Sequence, residues 1–187
     1  MTLAPRSAFF TLLFVSFVWG AEFVLIDITI ESLPVNTFNG IRFLVAALAL
    51  FPLYFFSRER HQVKDWKTLI PAGLLLGLLL AVAFYTQTEG MLYTTVSNAG
   101  FITGLAVPLV SVLGFLIFKN KTNTASWVGI AIATTGLYVL TMGESMEFNK
   151  GDWLVLACAF CFAFHIVFTG RFVEKQPVLL LSIIQLF

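Results

Sequence analysis

The chain has 187 residues, of which 59% are hydrophobic and 11% charged, with 21 phenylalanines and a formal net charge of +1. Soluble domains are about one quarter charged, and so few charged side chains cannot cover the surface of a soluble fold this apolar. A near-neutral balance also gives no field for steering toward nucleic acid, which leaves the lipid bilayer as the partner and an all-α integral membrane protein as the class.

Measured against the ~20 residues that cross a bilayer as a helix, six complete apolar runs lie near 9–29, 36–56, 69–87, 95–118, 125–142 and 153–170. The first contains VSFVWGAEFVLI, which places Glu22 in hydrocarbon. Its apolar stretch continues past Trp19, and more segments follow, so it reads as a spanning helix rather than a signal peptide. The second run carries Arg42. Gly73, Gly77 and Ala81 in the third, Gly100 and Gly104 in the fourth, and Gly129 and Ala133 in the fifth fall at four-residue spacing. Small residues so spaced let helix backbones approach in a membrane, which predicts a compact polytopic bundle. Asn98 opens the fourth run as a cap or part of an outer gate, and Pro108 within that run predicts a kink. The sixth holds His165 and the pair Cys158 and Cys161. Set among Ala and Phe with no second cysteine pair, those thiols read as small packing residues rather than a metal or redox motif. A seventh run starts near Val178 and stops at Phe187, too short to span, so the chain is expected to be part of a longer protein.

Nine of the eleven lysines and arginines fall on one alternate set of connections: the N-terminus, 57–68, 118–124 and 171–177. The positive-inside rule then predicts a cytoplasmic N-terminus in the cell (inner) membrane.

A shift of 143 residues lays 8–44 over 151–187, and seven of those 37 positions match: Leu13/Leu156, Phe17/Phe160, Val24/Val167, Glu31/Glu174, Pro34/Pro177, Val35/Val178 and Ile41/Ile184. Five helices separate the copies, an odd number, so the second copy would enter the membrane from the opposite side. Inverted repeats of this kind are typical of secondary transporters. The division expected is a first repeat over 1–144 and the start of a second over 145–187.

VWGAEFVL, NTFNGIRFLVAALAL, YTTVSNAGFITGLAVPLVSVLGFLIF, WVGIAIATTGLYVL and GDWLVLACAFCFAFHIVFTGRF, in this order, resemble the EamA-type proteins of the drug/metabolite transporter superfamily. The resemblance implies ten helices in two inverted five-helix repeats, cytoplasmic termini, and transport of metabolites, amino acids or lipophilic solutes, often as an exporter. One departure is Lys119-Asn120-Lys121, where family members often carry a glutamate just after the fourth helix.

Ionisable residues inside a membrane bundle are functional candidates by default, because a charge left in lipid costs about 2.5–3.5 kcal/mol on insertion scales. Counting from helix midpoints at 1.5 Å per residue, Glu22 and Arg42 each lie about 5 Å outward of the midplane, so they are level and within pairing range if their faces meet. The 143-residue shift maps Glu22 onto His165 and Arg42 onto Gln185, giving each half a polar pair. Glu22 and Arg42 are read as a structural ion pair, as solute-contacting or proton-carrying groups, or as lipid-facing side chains that snorkel to the interface. His165 is read as a neutral packing residue or a solute contact. Trp19, at mid-depth, either lines the cavity or packs in the bundle.

The function expected is secondary transport of small organic solutes such as amino acids or other zwitterions, by alternating access, with protons as one candidate coupling ion. No nucleotide motif is present, and no cofactor or metal is expected. The alternatives are multidrug or cation efflux on the same fold, a membrane-embedded enzyme, for which no nucleophile–base constellation is visible, and a scaffold subunit complete at this length.

Overall fold

The computed structural model describes residues 5–57, 65–119, 124–141 and 148–187. These form eight helices and, among the described residues, no strand: α1 (Pro5–Ile30), α2 (Val35–Phe56), α3 (Trp66–Met91), α4 (Val96–Gly104), α5 (Ala106–Phe118), α6 (Thr124–Thr141), α7 (Lys150–Phe172) and α8 (Val178–Ile184). Every predicted run is helical. Five spans, with α4 and α5 counted as one, are long and apolar enough to cross a membrane. The apolar part of α6, Trp127–Gly136, is shorter. Met142, the last residue of that predicted run, lies outside the described residues.

Helix boundaries follow local chemistry. Asp65 caps α3 by accepting from the Lys67 amide, and Thr95 caps α4 by accepting from the Asn98 amide. The cap expected at Asn98 is therefore displaced to Thr95, and Asn98 sits at the third helical position. A reciprocal capping box starts α7, in which the Asn149 side chain accepts from the Asp152 amide and the Asp152 carboxylate accepts from the Asn149 amide. The predicted kink in the fourth run is a break at Leu105, between α4 and α5. A proline ring clashes with the carbonyl four residues earlier, and for Pro108 that is Gly104, the last residue of α4.

α7 is the spine of the bundle, lying along α3 and touching α4 and α5, while α8 sits against α2 and α3. Close approach along α3 depends on glycine. A Cβ on Gly77 would stand 2.8 Å from the Gln185 carbonyl oxygen, and one on Gly73 would collide with the Ile184 side chain. At the other end of α3, Gly90 and Gly151 bring α3 and α7 into backbone contact. Gly100 and Gly104 behave differently from the expectation. Among the described residues nothing lies within 4 Å of a Cβ built on either, and both line an apolar groove of about 550 Å³ between α1, α4 and α6, with Gly20, Phe23, Phe101 and Gly136. Spacing marked all four glycines alike because sequence shows which residues share a helix face but not what that face meets.

Two apolar clusters hold the bundle. Ile26, Met91, Ala99, Ile102 and Val155 pack where α1, α3, α4 and α7 meet, and Leu69, Ala72, Leu76, Leu180 and Leu181 join α3 to α8. Among the described residues, α1 packs through one end. From Phe9 to Ala21 its side chains are exposed, and its contacts begin with Glu22, Phe23 and Ile26.

Candidate functional site

Seven or eight residues from the helix ends that carry Ile30, Val35, Met91, Val96 and Lys150 lie Glu22, Arg42, Phe84, Thr103 and Cys158. At 1.5 Å per residue this is one layer about 11 Å deep, assembled from five helices. Within it Arg42 Nη1 donates to Glu22 Oε1 at 2.7 Å, so the two level charges on α1 and α2 form an ion pair. The guanidinium lies over the Phe84 ring at 3.8 Å, with Phe38 and Phe43 at 5.3 and 5.7 Å. Phe84 in turn meets Phe43 and Phe162 edge-on, with centroids 5.4 and 5.1 Å apart. The cation therefore rests on a π face, an attraction that strengthens as water is removed.

One helical turn nearer the same ends is a second polar tier. Asn39, three residues before Arg42 on α2, donates to the Phe84 carbonyl at 3.4 Å and accepts from the Thr88 hydroxyl at 3.3 Å. Gln87 donates to Thr103 at 3.2 Å. Thr94 donates to the capping Asp152 at 2.5 Å, tying the α3–α4 turn to α7. Asn39, Gln87, Thr88 and Asp152 are all buried, and sequence reading missed them. Their signal was faint: Asn39 shares a face with Arg42 by its three-residue spacing, and YTQTEG is a polar cluster at the end of the third run. Such residues near a helix end are ordinary when solvated, and only the neighbouring helices show that these are not.

At the other end of the bundle His165 Nε2 donates to Gln185 Oε1 at 2.9 Å. Each lies seven residues from its helix end, His165 before Phe172 and Gln185 after Val178. Both polar pairs join residues twenty apart in sequence on consecutive helices, one pair near each end of the bundle. Gln185 also lines a smaller cavity, of about 260 Å³, with Phe43, Gly77 and Ala81.

Trp19 joins neither assembly. It is 58% exposed and sits on the unpacked half of α1, so among the described residues it neither packs in the bundle nor lines a cavity. Asn98 is half-buried at the start of α4, away from the charged pair. Pro108 is buried beside the α4–α5 break.

Comparison with known proteins places the site in context. The EamA-like transporter family model matches residues 6–142. An uncharacterized transporter of Archaeoglobus fulgidus is 31% identical over 173 residues, covering 92% of this chain and 52% of its own length. The inner membrane transporter YedA of Escherichia coli K12 is 32% identical over 155 residues, covering 82% and 50%. A Salmonella typhimurium protein named as a probable amino-acid metabolite efflux pump is 28% identical over 178 residues, covering 90% and 55%. The chain thus spans about half the length of these relatives. No solved structure matches. A family match over most of the chain, on a helical bundle with membrane-length spans, identifies this as a multi-pass membrane protein of the EamA-like transporter family.

Proposed function

We propose that the chain forms the first repeat and the opening helices of a second, inverted repeat of a ten-helix secondary transporter. In this reading it exports small zwitterionic metabolites, amino acids among them, across the inner membrane by alternating access. The observation that carries this is the paired polar stations: Glu22–Arg42 near one end of the bundle and His165–Gln185 near the other, with equal sequence separation. Inversion about the midplane relates such positions. Two layers that open in turn would give a solute polar contacts at each face without a continuous polar pore.

Glu22 is the proton carrier in this scheme and Arg42 the group that controls it. In this scheme a proton is taken up when the Glu22–Arg42 pair parts and is given up when it re-forms. The end of the bundle that carries Arg6, Lys67, Lys119 and Arg171 faces the cytoplasm, so Glu22 and Arg42 form the outer layer. The relative named as an amino-acid metabolite efflux pump supports the solute class.

The test is transport by the protein, in the length its gene encodes, reconstituted in liposomes with amino acids under an imposed pH gradient. Gradient-driven flux in the native protein, lost in Glu22→Gln while counterflow exchange persists, is the expected result. Unchanged gradient-driven flux in Glu22→Gln sinks the coupling role, and absence of any flux sinks the transporter reading.

A further inference from the structure

We infer that the Nε–Nη2 edge of Arg42 is a binding fork for a carboxylate, so that the solute is recognised through an anionic, planar group. This inference rests on the transporter reading and names the chemistry of its outer site. The geometry of the guanidinium carries it. Nη1 is engaged by Glu22, but Nε and Nη2 are both buried and have no hydrogen-bond partner among the described residues. Those two nitrogens lie on the same side of the guanidinium plane's outline, opposite the side occupied by Nη1 and Cδ. Their N–H bonds project nearly parallel, in the arrangement that meets both oxygens of one carboxylate.

The aromatic surroundings do not satisfy that edge. Phe84, at 3.8 Å, covers the face of the guanidinium. A π face attracts the cation as a whole, whereas N–H bonds in the guanidinium plane need in-plane acceptors. Asn39 lies on the same helix face, but its amide oxygen accepts from Thr88 and its nitrogen donates to the Phe84 carbonyl, so both ends are committed. Gln87 is turned to Thr103 on α4. Asn39 and Gln87 are thus paired elsewhere, and a charged donor pair is left buried without an acceptor among the described residues. Buried charged donors without acceptors are costly and rare in native structures, and a ligand that supplies the acceptors removes that cost.

The fork is sealed in this arrangement, since neither nitrogen is reached by a water-sized probe. A carboxylate enters only when α1 or the Phe38–Phe43–Phe84 wall moves. Glu22, on α1, closes one side of the guanidinium, and the three phenylalanines line the rest. Because Nη1 and the fork point in different directions, Glu22 and the ligand carboxylate occupy Arg42 together rather than exchanging.

The test compares each of the common L-amino acids, and acetate and benzoate as minimal carboxylates, with the matching amino acid amides, acetamide and benzamide. The protein is purified in its natively encoded length, and thermal shift and equilibrium binding are read. At least one carboxylate is expected to bind, and its amide to bind at least tenfold more weakly. Arg42→Lys, which keeps the charge and the partner for Glu22 but has no planar fork, loses that preference for carboxylate over amide. The native-protein comparison stands even if Arg42→Lys does not fold. Equal affinity for acid and amide, an unchanged preference in Arg42→Lys, or no binding by any carboxylate overturns the inference. Transport of amides as fast as acids in liposomes would overturn it and leave the transporter reading intact, whereas carboxylate binding without any flux would do the reverse.

Discussion

Gly77 and Gly100 carry the same sequence signature, and the structure gives them opposite sensitivities to a single methyl group. A Cβ on Gly77 would meet the Gln185 carbonyl oxygen at 2.8 Å, the Gln185 Cα at 3.2 Å and its carbonyl carbon at 3.3 Å. Ordinary contact begins near 3.4 Å, so α8 must retreat from α3 by about half an ångström. The atoms in the way are backbone, and no rotamer change relieves them. Overpacking of this kind costs about 1–3 kcal/mol, partly offset by the gain of up to about 1 kcal/mol from replacing a helical glycine by alanine. Gly77→Ala is therefore expected to destabilise by about 1–2 kcal/mol. Because Gln185 is both the clashing residue and the partner of His165, the same change weakens that hydrogen bond. Gly100→Ala and Gly104→Ala meet open space, and only the propensity term acts, leaving them neutral or stabilising by up to about 1 kcal/mol. Equilibrium unfolding of the purified protein, in the length its gene encodes, in mild detergent by graded SDS addition, reads the difference. A neutral Gly77→Ala beside a destabilising Gly100→Ala would refute the packing derived for α3 and α8.

Three further outcomes follow from named contacts. Thr94→Val removes the donor to the buried Asp152 carboxylate and is expected to cost about 1–3 kcal/mol, read in the same unfolding experiment, with faster hydrogen exchange in the first turn of α7. Lys119 closes α5 in the left-handed conformation, at φ 54. Lys119→Gly relieves a penalty of about 1–2 kcal/mol against a flexibility cost of about 0.5–1 kcal/mol, so a small gain in stability is expected and a loss would contradict the cap geometry. A double-mutant cycle of His165→Ala and Gln185→Ala is expected to show a coupling of about 0.5–1.5 kcal/mol, and a coupling near zero would mean that the two side chains do not meet.

The helical runs were legible because a bilayer imposes length and apolarity on anything that crosses it. The depth of Glu22 and Arg42 was legible for a related reason: helix rise converts residue number into distance once the ends are known. Azimuth was not. Whether Glu22 faced Arg42, whether Gly100 touched a neighbour as Gly77 does, and whether Trp19 turned inward all depend on helix rotation and packing partners. Weak amphipathicity in an apolar bundle leaves those unencoded in any single segment. The buried residues Asn39, Gln87, Thr88 and Asp152 escaped for the same reason, since each is unremarked until its neighbouring helices are placed around it. Pro108 located the break to within one turn, because the clash that breaks a helix lies four residues upstream of the ring.

The central claim is that Glu22 and Arg42 work on solute and proton rather than merely bracing α1 against α2. The charge swap Glu22→Arg with Arg42→Glu tests this most directly. It restores an ion pair across the same two helices but moves the guanidinium fork from α2 to α1 and reverses which helix carries the carboxylate. The account predicts that the double variant recovers the stability lost in either single variant while solute flux in liposomes stays abolished. Recovery of flux along with stability would show the pair to be a strut, and would contradict the account.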